Sequence, residues 1–258
     1  MTEPQPTRRR RIILGSIAVA LLALIVAIGG FLWWAQPQPL MAEATAALAS
    51  TPGATFERRD DGRLTYTPTD GTPTTGLILY PGGKVPPAAY ARAARAIAEA
   101  GYLVAIVPVP FGLAIFDTGA AASVIDDHPD ILSWTVGGHS LGGATAALFV
   151  DGNPGLVDRL VLWASYSSAD LSDDGLLVSS TYGTLDRGAT TFTSEENLAR
   201  LGPAVVVTEI EGGNHEQMGW YTGQPDDPPA TISRQAQQDA VVEETLALLE
   251  ALEQPPLE

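Results

Sequence analysis

The sequence predicts an α/β fold, a mostly parallel sheet covered by helices, and three observations lead there. Past a short N-terminal region, apolar runs of strand length alternate with helix-like stretches, the pattern of strands joined by helical crossovers. That region, roughly 205 residues without internal repeats, suits one such domain. At its centre residues 134–143 read Trp-Thr-Val-Gly-Gly-His-Ser-Leu-Gly-Gly, an apolar run ending in Gly138-His139-Ser140-Leu141-Gly142 just before an alanine-rich helix over 144–150. G-x-S-x-G between a strand and a helix has the form of a nucleophile elbow. A serine raised on so sharp a turn crowds the residues two positions either side of it, where only glycine fits. Gly138 and Gly142 occupy those positions, and Gly143 gives further room where the helix meets the sheet.

The elements follow in chain order. Residues 8–11 are four arginines, and residues 12–35 contain no charge. Roughly 20 apolar residues cross a bilayer core, so residues 12–35 are expected to form a transmembrane signal anchor. Trp33 and Trp34 stand where an interfacial aromatic belt would lie. Arginines before the span and none directly after it place the basic N-terminus, residues 1–11, in the cytoplasm and the remaining chain outside the cell membrane. The alternative is secretion after signal cleavage near Ala35, although the apolar core of a signal peptide is usually only about 7–15 residues. Residues 36–54, with Pro37 and Pro39 and then an alanine-rich turn or two, read as a tether.

The globular domain is expected over residues 55–252, with a C-terminal tail at 253–258. Residues 56–58 and 63–67 flank Asp60-Asp61-Gly62, turn chemistry that predicts a hairpin. Residues 77–80 form a buried-type strand, 87–100 a helix ended by Gly101, 103–107 the next strand, and 113–127 a weaker helix interrupted by Gly119. Strands over 134–138, 160–164, 176–182 and 204–210, a helix over 195–201 and a long amphipathic helix over 233–252 complete the series.

Composition narrows the chemistry. The chain has no cysteine, which excludes disulfides, a thiolate nucleophile and a lipid-anchored cysteine. Beyond Ala35 ten Lys and Arg stand against 29 Asp and Glu, a surface that argues against nucleic acid or anionic headgroups as partners.

A serine hydroxyl needs a base to remove its proton, and imidazole suits that work near neutral pH. Of three histidines, His139 lies inside the elbow and His128 in an acidic loop, Asp126-Asp127-His128-Pro129-Asp130. His215, in Gly212-Gly213-Asn214-His215-Glu216 directly after the last strand, is the expected base. The base needs a carboxylate to fix its tautomer. Asp186, which follows a strand and Gly183-Thr184-Leu185, is preferred to Asp170, Asp173 and Asp174 in a polar connection. Backbone N–H groups to hold an oxyanion are expected from Leu141 and from Gly83 or Lys84 in Pro81-Gly82-Gly83-Lys84. Phe111 and Phe116, Trp163 and Tyr166, and Trp220 and Tyr221 all follow strand ends, where such sheets bind ligands; of these Phe111, Trp163, Tyr166 and Trp220 are the expected substrate-binding residues. Asp226 and Asp227 read as solvated acids, since spacing brings no third metal ligand near.

Over residues 55–252 the chain resembles the α/β-hydrolase superfamily, through Gly138-His139-Ser140-Leu141-Gly142, Tyr80-Pro81-Gly82-Gly83-Lys84, Gly183-Thr184-Leu185-Asp186 and Gly212-Gly213-Asn214-His215. Within it the chain is similar to a compact bacterial branch related to dienelactone-hydrolase-like proteins. The resemblance implies an eight-stranded, mostly parallel sheet, a Ser-His-Asp triad, and hydrolysis of an ester or related acyl bond with no metal or organic cofactor. Dienelactone hydrolases proper use a cysteine nucleophile, so their substrate is not carried over. The connection between Trp163 and Gly175 is too short for a sizeable cap domain. The expected protein is a membrane-tethered serine hydrolase acting on a small-molecule or lipid-like acyl substrate. Its rivals are an envelope acyltransferase with the same triad and a non-catalytic binding protein on the same fold.

Overall fold

The computed structural model describes residues 8–224 and 226–251. Residues 1–7, Pro225, the last residue of the expected C-terminal helix and the expected tail at 253–258 lie outside the described residues. The chain divides into two units, Met1–Gln36 and Pro37–Glu258. In the first, α1 (Arg8–Trp34) contains a 22-residue apolar stretch, Ile13–Trp34, with no buried share. It is long and apolar enough to cross a membrane, a test that a signal sequence near an N-terminus also passes.

The second unit is an eight-stranded sheet in the order β1-β2-β4-β3-β5-β6-β7-β8. The hairpin of β1 (Ala54–Arg58) and β2 (Leu64–Pro68) turns through Gly62 and joins β4 (Leu103–Ile106) by antiparallel pairing of β2. From β4 onward every pairing is parallel, through β3 (Thr75–Tyr80), β5 (Ser133–His139), β6 (Arg159–Trp163), β7 (Leu177–Gly183) and β8 (Val205–Ile210). Alternate residues face opposite cores: Leu77 and Leu79 meet α3 (Ala91–Glu99) and α8 (Arg234–Glu250), while Ile78 and Tyr80 meet α4 (Ala120–Asp127) and α5 (Leu141–Asp151). The order reverses at β3, whose neighbours are β4 and β5, and open sheets of this kind bind ligands at the carboxyl ends beside such a reversal.

One expectation is corrected: residues 113–119 are not α-helical and hold only the 3-10 turn Ala114–Phe116, which follows another at Pro110–Gly112; α4 starts at Ala120, after Gly119. Within the expected tether the alanine-rich turn is α2 (Ala42–Ala46), Ala44 and Ala47 are fully buried, and Tyr66 Oη donates to the Ala47 carbonyl. The buried face of α8 is mixed, with Gln237, Gln238 and Thr245 beside Val241, Leu248 and Leu249. The 164–176 connection holds no inserted helical domain.

Candidate active site

The elbow forms because three backbone segments meet where no side chain fits. Ser140 sits between β5 and α5 at φ 53°, ψ −122°. A Cβ on Gly142 would stand 2.1 Å from the Tyr80 carbonyl oxygen, and one on Gly138 2.3 Å from the same atom and 2.8 Å from Gly142 itself. The serine's own backbone is fixed from both sides: its N–H donates to Trp163 O at 3.0 Å, and its carbonyl accepts from Ser165 Oγ at 2.7 Å. Among the described residues the non-glycine positions with left-handed φ are Lys84, Phe111, Ser140, Ala164 and Asp226. Each follows the carboxyl end of a strand, and strain of this kind concentrates at functional sites.

Asp186 and His215 come together because the loops after β7 and β8 cross at two glycines. A Cβ on Gly183 would lie 2.2 Å from the Gly213 carbonyl carbon, and Leu185 N–H donates to Gly213 O at 2.9 Å. Asp186 Oδ2 is 2.7 Å from His215 Nδ1, and the Asp186 side chain is only 3% exposed. Its other oxygen accepts from the Gly188 N–H at 2.7 Å, so both carboxylate oxygens are occupied. His215 stands over the elbow: its ring centroid is 4.5 Å from that of His139, the residue before Ser140. The His215 side chain has one hydrogen bond among the described residues, to Asp186, so it is not bonded to Ser140 Oγ. A cleft of 210 Å³ beside His215 is bordered by Phe192, Gln224 and Asp227.

At the end of β3 three successive amides have different fates. Gly82 N–H donates to Tyr90 Oη at 2.9 Å and Lys84 N–H to Gly112 O at 2.6 Å, while Gly83 N–H has no hydrogen bond among the described residues. Lys84 is therefore corrected as an oxyanion donor: its amide is already committed. Gly83 and Leu141 are neighbours, with a Cβ built on Gly83 at 3.7 Å from Leu141 Cδ2.

Two further expectations are revised. Trp163 is 1% exposed and its Nε1–H donates to Thr245 Oγ1, so it is core. Trp220, 6% exposed, lies under the Arg92 guanidinium at 4.8 Å. Phe111 and Tyr166 remain open, at 55% and 43% exposure, and Phe111 meets Phe116 edge to face at 6.1 Å.

His139, inside the elbow, is buried under His215 with Nδ1 2.9 Å from Tyr90 Oη. Burial, with His215 adding to it, holds its pKa well below the usual histidine range, so the ring stays neutral. His128, in the acidic loop, is half-buried, and burial followed by the nearby Arg63 lowers its pKa. Asp227 is also half-buried, accepting from Glu216 N–H at 2.7 Å and His215 N–H at 3.3 Å; burial raises its pKa against those bonds. Among the described residues no group of three or more His, Cys, Asp or Glu is arranged to hold a metal ion.

Sequence reasoning missed the residues that hold the histidine loop. Gln237 Oε1 accepts from Asn214 N–H at 3.0 Å while its Nε2 donates to Asn214 O at 2.7 Å, clamping the residue before His215. Gln238 Nε2 donates to Gln217 O at 2.6 Å, and Arg234 to Glu216 O at 2.8 Å and to Gly219 O. A glutamine at position 237 of a stripe continued by Val241, Thr245 and Leu248 was the available signal, a polar residue at a core position.

With that geometry in place, comparison with known proteins is informative. A family model described as the alpha/beta hydrolase family matches residues 76–239, more than half of the chain. The crystal structure of a predicted CIB-like hydrolase from Thermoplasma acidophilum is similar in fold, with a TM-score of 0.54 at 15% identity over 76% of this chain and 99% of that one. A search of curated protein sequences finds no match.

Proposed function

Because the chain belongs to the alpha/beta hydrolase family, we propose that it is a serine hydrolase cleaving an ester or related acyl bond through Ser140, His215 and Asp186. The observation that carries this reading is the 2.7 Å contact of Asp186 with His215, on a histidine that stands over the elbow. In the free protein His215 and Ser140 Oγ are not yet bonded, and such contacts commonly close when substrate binds.

The chemistry then runs as follows. His215, its Nδ1–H held by Asp186, takes the Ser140 proton through Nε2 as the oxygen attacks the substrate carbonyl. The oxyanion is held by the N–H groups of Leu141 and Gly83, the one amide of its loop left uncommitted. His215 passes the proton to the leaving group and an acyl-Ser140 ester remains; water then attacks it as His215 takes a water proton, the Oγ–acyl bond breaks, the acid leaves and His215 returns the proton to Ser140. The open aromatic rim of Phe111 and Tyr166 fits a small or lipid-like acyl group. In this reading residues 12–35 anchor the protein in the cell membrane with the hydrolase domain outside.

The test compares the full chain in detergent with Ser140→Ala, reading fluorophosphonate labelling and hydrolysis of p-nitrophenyl esters of increasing chain length. Both activities are expected in the wild type and neither in the variant. A folded wild type that neither labels nor turns over would sink the assignment. Carbonate extraction of membranes and the mass of the mature chain test the anchor: a carbonate-soluble chain beginning near residue 36 would replace it with a cleaved signal peptide.

A further inference from the structure

One buried side chain joins the two parts of the site that must act on the same carbonyl. Tyr90 ends the 3-10 turn Pro87–Tyr90 and is 1% exposed. Its oxygen accepts the Gly82 N–H from the oxyanion loop at 2.9 Å and lies 2.9 Å from Nδ1 of His139 in the elbow. With the Gly82 N–H donating to that oxygen, the arrangement that also uses the phenol's own proton has Tyr90 donate to Nδ1 and the His139 proton on Nε2. Nε2 is buried and has no hydrogen-bond partner among the described residues, so the Tyr90 contact is the one polar link holding the ring in place. The space is filled to contact: a Cβ on Gly82 would stand 2.7 Å from His139 Nδ1 and 3.1 Å from Tyr90 Oη.

We propose that Tyr90, acting through His139, is a positioning residue that sets the Gly83 amide against Ser140 and fixes the ring on which His215 rests. The inference rests on the serine hydrolase reading and goes beyond it. With Gly82 tied to Tyr90 and Lys84 tied to Gly112, the loop can present only the amide between them. Because Tyr90 is bonded at the same time to the residue before Ser140, a shift of the elbow carries the oxyanion donor with it. Burial keeps both partners neutral, raising the Tyr90 pKa and lowering that of His139, so the link persists across the working pH range.

Tyr90→Phe removes only the hydroxyl and keeps the ring beside Trp163, 6.3 Å away. Measured on the full chain in detergent, with active sites counted by the burst of p-nitrophenol, kcat per site is expected to fall about 10- to 100-fold with KM within about twofold. A purely structural role would lower the number of active sites and leave kcat per site alone. His139→Asn keeps an acceptor near the Nδ1 position and is expected to retain most of kcat; His139→Leu has none and is expected to fall as far as Tyr90→Phe. The double variant Tyr90→Phe, His139→Leu should be no worse than the poorer single one. Wild-type kcat per site in Tyr90→Phe, or multiplying losses in the double variant, would overturn the proposal. If Tyr90→Phe does not fold, the histidine pair decides it, and equal kcat in the two would overturn it. A wild type with no burst and no labelling strikes the serine hydrolase reading itself, and the proposal with it.

Discussion

The two halves of the site are built by different physics. Around Ser140 backbone packs on backbone: Gly138 and Gly142 face the Tyr80 carbonyl at distances no Cβ could share. Around His215 backbone meets backbone only at the crossing of Gly183 and Gly213, and the residues that flank the histidine are held by side chains of α8, with Gln237 on Asn214, Gln238 on Gln217 and Arg234 on Glu216. Contact between backbones has no soft direction, so the serine half should fail completely when altered. A side chain that bonds a loop can be replaced by a weaker version of itself, so the histidine half should fail by degrees.

The largest expected effect tests the first half. Gly142→Ala places a methyl 2.1 Å from Tyr80 O and 2.6 Å from Pro81 O, and the Tyr80 carbonyl cannot move without disturbing the end of the β3–β5 pairing. We expect a loss above about 4 kcal/mol, seen as an insoluble chain or one with no cooperative melt by circular dichroism. A variant with a near wild-type Tm would mean that the elbow is softer than its geometry.

Next comes the clamp on the other half. Gln237→Leu orphans the buried N–H and C=O of Asn214, each costing about 1–3 kcal/mol, while Gln237→Glu keeps the acceptor and loses the donor. Urea titration should rank wild type, Glu and Leu in falling stability, with kcat falling in the same order as His215 loses its support. Equal stability in the Glu and Leu variants would remove the graded character claimed for this half.

The halves are also laced together by the chain that follows α1. Gln38 N–H donates to Lys84 O at 2.8 Å in the Gly82-Gly83 loop, while Met41 N–H donates to Trp220 O at 3.1 Å and Pro39 O accepts from Thr222 N–H at 3.0 Å beyond the histidine. A chain beginning at Pro37 should keep kcat within about twofold, and one beginning at Ala42 should lose about tenfold, since small displacements of oriented groups are felt strongly in turnover. Equal kcat in the two chains would show that the strap carries no load for catalysis.

This division also explains what was legible in the sequence. Close backbone approach requires glycine, and glycine is visible, so the elbow and the Gly82-Gly83 loop could be read from residue spacing, whereas Gly183 and Gly213 were visible as turns but their crossing was not. Strands alternating with helices gave the sheet, and position after a strand singled out Asp186 and His215, whose side chains lie 2.7 Å apart. Side chains that support a loop from a distance follow no spacing rule: nothing in residues 87–90 marks Tyr90 as a partner of Gly82, and Gln237 lies 22 residues beyond His215 on another element. The aromatic residues were legible only as following strand ends. Whether Trp163 faces the core or the cleft depends on one residue of strand register.

The smallest expected effect is a dependence of stability on pH that isolates one ring of the serine half. His139 faces Tyr90, Tyr221 and His215, and among the described residues no carboxylate touches it to favour its charged form. Its native pKa lies well below the usual histidine value of about 6.5, because burial disfavours the imidazolium. As pH falls below about 6.5 the unfolded chain therefore takes up a proton that the native state refuses. Stability from this group is complete above that point and is lost progressively toward the native pKa, at a slope approaching about 1.4 kcal/mol per pH unit for one full proton. His128, also lowered, adds a parallel slope, whereas Asp227, whose native pKa is raised, opposes it at the acid end. Comparing urea unfolding of wild type and His139→Asn from pH 7 to 5 cancels the last two, since both chains carry them. The wild-type curve should fall more steeply by up to one proton, and superimposable slopes would mean that His139 accepts its proton in the native state, with the ring tilted against His215 held as a cation instead.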